Sequence, residues 1–159
     1  MPRQSAGLLM YRRRKGVVQV LLIHPGGPFW ANKDAGAWSI PKGEFSGDEN
    51  ALTAARREFE EETGFLPAGR FVQLTPVKQP SGKVIHAWAL EGDLDATAIR
   101  SNTFTLEWPP QSGVHQEFPE VDRAAWFTIE AAKEKIIKGQ TDFIDELQRI
   151  IETDSPEAA

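Results

Sequence analysis

Residues 43–65 read GEFSGDENALTAARREFEEETGF, and glutamates crowd the second half of this stretch. A helix turns about 100° per residue, so Glu58, Glu61 and Glu62 share one face, whereas Glu60 points elsewhere. Like charges this close weaken a helix. One interpretation is a solvated acidic face, the usual meaning of a charge run. The other is that the three carboxylates hold a hard divalent cation, Mg²⁺ or Mn²⁺, beside a phosphate-bearing substrate.

The same stretch predicts a helix over residues 50–63. Its apolar residues recur at the spacing of a single helix face, namely Leu52, Ala55 and Phe59. Gly64 stands where a C-terminal cap belongs. Arg57 lies one turn before Glu61 and can hold it by a charge-assisted hydrogen bond. We therefore expect one face of this helix to pack in the core and another to present oriented carboxylates.

The stretch also resembles the Nudix box, a motif with fixed glycine, arginine, glutamate and apolar positions. The matching residues are Gly43, Glu49, Arg57, Glu58, Phe59, Glu61, Glu62, Gly64 and Phe65. The resemblance implies a Nudix hydrolase with an α/β/α sandwich built around a central mixed β-sheet. We expect a single Nudix domain over residues 1–152 and a frayed C-terminal tail over residues 153–159.

The resemblance also assigns roles within the box. The metal ligands that it implies are one backbone carbonyl and three carboxylates, those of Gly43, Glu58, Glu61 and Glu62. Arg57 resembles the arginine that orients the carboxylates. Glu49 resembles the glutamate near the start of the box helix, where it acts either as a helix-dipole partner or as a supporting contact.

Many family members place another glutamate six residues before a strand tryptophan, where it serves as a metal ligand or as the general base. Glu120 stands at this distance from Trp126 and is the predicted residue, with Glu117 as the alternative. The predicted catalytic set is Arg57, Glu58, Glu61 and Glu120. The identity of the general base stays open among Glu58, Glu61, Glu117 and Glu120.

Residues 38–44, WSIPKGE, resemble a segment of the asymmetric diadenosine tetraphosphate hydrolases. The predicted substrate-binding residues are Trp38, Lys42, Lys83 and His86. Tyr11 is the sole tyrosine of the chain, so the stacking tyrosines expected after the box are absent, and His86 is the predicted replacement. Phe29 or Trp30 could supply an aromatic platform, or both could pack on the core.

The favoured function is divalent-metal-dependent hydrolysis of a diphosphate linkage in a nucleoside diphosphate derivative, with diadenosine tetraphosphate as the favoured substrate. One alternative is ADP-ribose or a nucleotide sugar, since Pro80 resembles a proline of ADP-ribose hydrolases. Another is a nucleoside triphosphate pyrophosphatase. The alternative outside enzymes is a regulatory Nudix domain that binds nucleotides without turning them over, although such domains usually lack box glutamates that are all present here.

Outside the box, periodicity and turn residues predict alternating strands and helices. The predicted strands are residues 6–13, 16–25, 70–78, 83–92, 104–108 and 124–128, with long loops at 26–38 and 109–120. A helix is predicted over residues 129–138, and a second carries the apolar stripe Phe143, Ile144, Leu147, Ile150 and Ile151. This alternation predicts a mixed sheet covered on both faces.

Composition limits the other function classes. The chain has 159 residues, enough for one ordinary domain. Its formal net charge of −5 argues against nucleic-acid binding, and no apolar run reaches the roughly 18 residues of a membrane span. Cysteine is absent, which excludes disulfides and thiolate nucleophiles. We expect a cytoplasmic protein with a small-molecule nucleotide partner and neither nucleic acid nor membrane as a partner; the oligomeric state is left open.

Overall fold

The computed structural model describes residues 3–154. Its helices are α1 (Ala51–Thr63), α2 (Ile129–Lys135) and α3 (Thr141–Asp154). Its strands are β1 (Gln4–Arg14), β2 (Val17–Pro25), β3 (Lys42–Glu44), β4 (Phe71–Gln73), β5 (Val77–Lys78), β6 (Val84–Glu91), β7 (Thr103–Glu107), β8 (His115–Pro119) and β9 (Val121–Thr128). Short 3₁₀ turns occur at Ala96–Ala98 and Lys138–Gln140.

The central sheet is mixed, as the sequence predicts. Its order is β4-β6-β1-β2-β9, with β3 added to β1 and β5 to β6. Strand β1 runs parallel to β6 and antiparallel to β2 and β3. Strands β7 and β8 form a separate two-stranded ribbon. Within residues 3–154, no helix is long and apolar enough to cross a membrane.

Helices cover both faces of the sheet because successive side chains of its central strands alternate between two apolar layers. Leu8 and Leu21 point toward α1, where they meet Phe59. Their neighbours Leu9 and Leu22 point to the opposite face, which is covered by α2 and α3. The residues that the two helices bury there are Ile129, Ala132, Phe143, Ile144 and Leu147. The predicted α/β/α sandwich is confirmed.

Helix α1 has the predicted ends. The Asn50 side chain accepts hydrogen bonds from the backbone N–H groups of Leu52 and Thr53, which satisfies two donors of the first turn. Gly64 adopts a left-handed conformation with φ of 80°, and its N–H donates to the Glu60 carbonyl. These caps fix where the carboxylate-bearing helix begins and ends.

Several predicted boundaries differ from the structure. Residues 109–120 are not wholly a loop, since they contain β8, whose Phe118 packs beside Phe104 of β7. The strand predicted over residues 70–78 is two short strands, β4 and β5.

Helix α2 stops at Lys135, three residues earlier than predicted. The chain leaves the helix because its backbone pairs with the backbone of Trp38. The Trp38 N–H donates to the Lys135 carbonyl, and the Ile137 N–H donates to the Trp38 carbonyl. Helix α3 includes Thr153 and Asp154, so the predicted tail begins inside it, and the rest of that tail lies outside the described residues.

Candidate active site

The site begins where β3 crosses α1. A Cβ added to Gly43 would lie 1.8 Å from Oε1 of Glu58, a distance that no side chain permits. Glu58 is 8% exposed. Glycine therefore lets the backbone of residue 43 lie directly against a buried carboxylate, a hard oxygen donor.

Arg57 connects the carboxylates of this region. Its guanidinium donates two hydrogen bonds of 2.9 Å to the Glu49 carboxylate, in a paired geometry. Its Nη1 also donates to Glu58 at 2.8 Å and to Glu61 at 3.3 Å. These contacts, led by the hydrogen bonds that Arg57 donates to Glu49, raise the pKa of the Arg57 guanidinium. Arg57 is thus positioned to orient carboxylates, and Glu49 to orient Arg57.

Glu62 points toward the start of β3. Its Oε1 accepts a hydrogen bond of 3.1 Å from the Lys42 backbone N–H. Burial raises the pKa of Glu62 to about 8, an effect that the Lys42 bond opposes and that the charges of Glu58 and Glu120 strengthen. A buried carboxylate with two acidic neighbours is unfavourable when ionised unless a cation accompanies it.

Glu58 shares this unfavourable electrostatic environment. Burial raises its pKa to about 7, and the neighbouring Glu61 carboxylate adds to the shift. Charge repulsion among these carboxylates is the effect expected from the sequence, although burial is the larger cause.

The side chains of the box do not converge on one point. Across residues 3–154, no three His, Asp or Glu side chains are arranged as a ready metal-binding group. Two of the carboxylates contact Arg57 and the third contacts the Lys42 backbone. Nevertheless, the residues fit a hard divalent cation in their chemistry, because the side-chain donors are all carboxylate oxygens and the lack of a side chain at Gly43 lets the Glu58 carboxylate lie against the strand.

Glu120 lies at this site, held by a chain of backbone hydrogen bonds. Its N–H donates to Asn102, whose N–H donates to the Glu61 carbonyl of α1. Its own carbonyl accepts from Gly26 N–H, and a Cβ on Gly26 would lie 2.0 Å from the Pro119 carbonyl oxygen. The Glu120 backbone is therefore fixed on both sides, with its charge close enough to influence Glu62. Glu117, by contrast, is exposed on β8 opposite Thr105.

Two lysines lie at the edge of the carboxylate group. Burial lowers the pKa of Lys42, and the positive charge of Lys83 lowers it further. Lys83 Nζ lies 3.9 Å from Oε2 of Glu44. The pair forms a cationic patch beside the acidic residues, suited in charge to a phosphate chain.

The other two predicted substrate-binding residues have partners within the fold. Trp38 is 4% exposed and packs edge-on against His24 and Phe127, while its Nε1 donates to Asp34. In this position it cannot offer a ring face to a substrate, because the core covers it. His86 is half-buried on β6, with Nε2 2.7 Å from the Gln4 side-chain oxygen.

A cavity of about 190 Å³ adjoins the carboxylates. Its charged lining residues are Lys42, Glu62 and Glu120, and Trp30 lies on its wall. From the sequence, the Trp30 ring could either stack on a substrate or pack on the core. The fold brings the loop that carries Trp30 next to the carboxylates. Gly26 and Asn102 hold Glu120 through backbone hydrogen bonds. A backbone contact of this kind does not depend on the side chain, so the residue type of Asn102 could not have indicated it.

Comparisons with known proteins agree with this arrangement. Residues 1–147 match the family model described as the NUDIX domain. A search of curated proteins gives no significant match. Three solved structures have related folds. The first is a Caenorhabditis elegans Ap4A hydrolase binary complex, with 18% identity, a TM-score of 0.65, and coverage of 95% of this chain and 98% of that one.

The second is the NUDIX domain of Shewanella oneidensis NrtR complexed with ADP ribose, with 14% identity, a TM-score of 0.66, and coverage of 95% and 89%. The third is a mutT/nudix family protein from Listeria innocua, with 18% identity, a TM-score of 0.62, and 97% coverage of each chain. Identities this low show a shared fold. The family model spans most of the chain and includes the complete box, so this protein belongs to the Nudix hydrolase family.

Proposed function

We propose that this protein hydrolyses a diphosphate linkage in a nucleoside diphosphate derivative with the help of a divalent metal. The observation that carries the proposal is the contact between Gly43 and Glu58, which sets the strand backbone against a buried carboxylate on an acidic helix face. Glu62 and Glu120 extend the group of oxygen donors, and Lys42 lies next to them. This combination suits a substrate that carries both phosphates and metal ions.

Nudix hydrolases generally use divalent metals, and Mg²⁺ is the ion we propose, with Mn²⁺ as a substitute. The residues that would hold it are Gly43, through its carbonyl, and the carboxylates of Glu58, Glu61, Glu62 and Glu120. A bound divalent ion polarises a phosphoryl oxygen and lowers the pKa of a bound water. Arg57 holds Glu58 and Glu61 in orientation, with Nη1 3.3 and 3.4 Å from the two Glu61 carboxylate oxygens, while the Lys42 backbone N–H holds Oε1 of Glu62.

The general base must accept a proton from the attacking water within hydrogen-bond reach. Glu120 is favoured over Glu117, because it lines the cavity with Glu62 whereas Glu117 is exposed on the ribbon. Glu58 and Glu61 are the other candidates. Glu58 is hydrogen-bonded to Arg57 and buried against Gly43, which suits a fixed ligand better than a group that accepts and releases protons.

We favour a dinucleoside polyphosphate such as diadenosine tetraphosphate as the substrate. Lys42 and Lys83 together supply the positive charge that a long phosphate chain needs, and Lys42 joins the acidic residues in lining the cavity. Cleavage should be asymmetric and yield a nucleoside triphosphate and a nucleoside monophosphate. The similarity in fold to an Ap4A hydrolase is compatible with this choice.

ADP-ribose is the second candidate, because a structure similar in fold was solved with ADP ribose bound. Pro80, which prompted the same idea, lies exposed in the turn between β5 and β6. A purely regulatory, nucleotide-binding role is disfavoured because every box carboxylate is present. The cytoplasmic location and the absence of nucleic-acid and membrane partners stay predictions.

The experiment that tests the proposal is a substrate panel assayed with Mg²⁺, with the products separated by chromatography. The panel contains diadenosine tetraphosphate, ADP-ribose, a nucleotide sugar and a nucleoside triphosphate. We expect fastest turnover of the dinucleotide, slower turnover of ADP-ribose and little of the triphosphate. Faster turnover of ADP-ribose than of the dinucleotide would reverse the ranking.

A further inference from the structure

The cavity beside the carboxylates has two chemically different sides. One side carries the charged groups Lys42, Glu62 and Glu120. The other is formed mainly by apolar residues, among them Ile23, Pro25, Ala37, Ile40 and Ile137, with Trp30 on the wall. A planar, largely apolar group with phosphates at one end matches such a lining, since ligand sites combine apolar walls with a few placed polar groups.

The size of the cavity limits what can enter it. At about 190 Å³ it is smaller than the roughly 300 Å³ at which small-molecule sites usually begin. A complete dinucleotide therefore cannot be enclosed. One end group is small enough to occupy the cavity, and the remaining phosphates and the second nucleoside of a dinucleotide would lie outside it.

Trp30 is held in place by its own loop. Trp30 is 36% exposed as a residue, and the Lys33 ammonium group lies over its ring, 5.2 Å from the centroid, so the ring carries a positive charge on one side and is partly open to a ligand. Its backbone carbonyl accepts a hydrogen bond of 3.0 Å from Lys33 N–H. The Lys33 carbonyl in turn lies 2.6 Å from Nε2 of His24, a fully buried residue whose Nδ1 lies 2.9 Å from Asp122. The loop is thus tied to β2 and β9, which reduces the ordering cost of binding.

The neighbouring aromatic residue has a different position. Phe29 is 61% exposed but packs edge-on against Trp108, with ring centroids 5.4 Å apart. It is not among the residues that line the cavity. Of the two aromatic residues that the sequence offered as a platform, Trp30 is the one beside the carboxylates.

We propose that Trp30 recognises one nucleobase of the substrate by stacking, with the attached phosphates directed toward Lys42 and the carboxylates. This inference rests on the proposed function and deepens it, because it makes a base at the cavity end a requirement for tight binding. Stacking on an aromatic residue is worth about 1–3 kcal/mol per base, which corresponds to roughly a 5- to 150-fold change in affinity.

The test compares two ligands that differ only in the base, AMP and ribose 5-phosphate, by calorimetric titration in the presence of Mg²⁺. The wild-type protein should bind AMP more tightly. Trp30→Ala should weaken AMP binding about tenfold or more and leave ribose 5-phosphate binding unchanged, whereas Trp30→Phe should retain most of the preference. Phe29→Ala should keep the wild-type preference.

Three outcomes would overturn the proposal: equal binding of both ligands by the wild type, unchanged AMP binding in Trp30→Ala, or an equal loss in Phe29→Ala. The near-wild-type behaviour of Trp30→Phe guards against a folding defect. Since the titration requires no turnover, its result is separate from the hydrolysis assay. A protein that cleaves no phosphoanhydride would refute the proposed function, yet base selection by Trp30 would still be measurable.

Discussion

Gly43 and Glu58 are packed so closely that a Cβ on residue 43 would lie 1.8 Å from the Glu58 carboxylate. The glycine is therefore not required by a turn or a positive φ. It is required because a backbone strand and a helix carboxylate approach each other at the site, and any side chain would separate them.

The first prediction concerns this contact. Gly43→Ala should displace Glu58 and lower kcat/KM by about 100-fold or more, since a displacement near 1 Å can cost that much in a catalytic site. Gly47→Ala is the matched control, because a Cβ on Gly47 meets nothing within 4 Å. The measurement is kcat/KM of both variants from steady-state kinetics, with circular dichroism to check the fold. Equal activities in the two variants would contradict the role given to Gly43.

The helix carboxylates give the second prediction. Glu61→Gln and Glu62→Gln keep the side-chain size but remove the charge, so metal affinity and turnover should each fall by orders of magnitude while the fold survives. Glu60→Gln is the control, since Glu60 is exposed on another face of α1. Titration with Mg²⁺ or Mn²⁺ and rate measurements provide the readout. Full activity in both Glu61→Gln and Glu62→Gln would refute the metal site.

A third prediction concerns the stability of the metal-free protein. The pKa values of Glu58 and Glu62, about 7 and about 8, lie above the ordinary 4.5. The folded state therefore holds these protons more tightly than the unfolded state. The associated stability is complete below pH 4.5 and is lost as the pH rises through 7 and 8.

In urea unfolding with a chelator, the unfolding free energy should fall over this window. The fall should be smaller in Glu62→Gln, because the variant lacks the titrating carboxyl. At pH 9 the variant should be more stable than the wild type by an amount on the order of a few kcal/mol, since each pH unit between the unfolded-state and folded-state pKa of Glu62 is worth about 1.4 kcal/mol. Curves for the wild type and Glu62→Gln that run parallel from pH 5 to pH 9 would show that Glu62 carries no such shift.

Glu120 gives the fourth prediction. As a general base or ligand acting in the transition state, Glu120→Gln should lower kcat by roughly 100- to 10,000-fold and change KM little. Glu117→Gln, altered three residues earlier on the exposed ribbon, should behave as the wild type. If Glu117→Gln has a strongly reduced kcat and Glu120→Gln has the wild-type kcat, Glu117 takes the role proposed for Glu120.

The elements that the sequence predicts best are those whose signals are local. Gly64 caps α1 where predicted, and the helix starts within one residue of the predicted Asn50, which is its N-cap, because a side-chain acceptor at one end and a left-handed glycine at the other act within a few residues. The mixed sheet also follows from alternating strands and helices. Strand β8 was missed because residues 109–120 are rich in turn-forming residues, although Phe118 lies at the spacing of a strand that pairs with β7.

The site itself depends on contacts that are distant in the sequence. Glu120 is held beside the box by backbone bonds to Asn102, which in turn bonds to Glu61, and to Gly26, and these bonds depend on tertiary structure rather than residue type. Trp38 depends on distant contacts in the same way: an aromatic residue beside the box suggested a substrate contact, and the fold buries its side chain against His24 and Phe127. Trp30 could be distinguished from Phe29 only once the loop had been placed in space.

The central claim is that this carboxylate site cleaves a phosphoanhydride with a divalent metal. It is tested most directly by incubating the wild type and Glu61→Gln with diadenosine tetraphosphate and Mg²⁺ in oxygen-18 water, followed by mass spectrometry of the products. We predict a nucleoside triphosphate and a nucleoside monophosphate, with the label in only one of them because one phosphorus is attacked, and little product from Glu61→Gln or after chelation. Wild-type protein that binds AMP but breaks no phosphoanhydride bond in this dinucleotide, ADP-ribose or a nucleoside triphosphate, with Mg²⁺ or Mn²⁺, would contradict the claim.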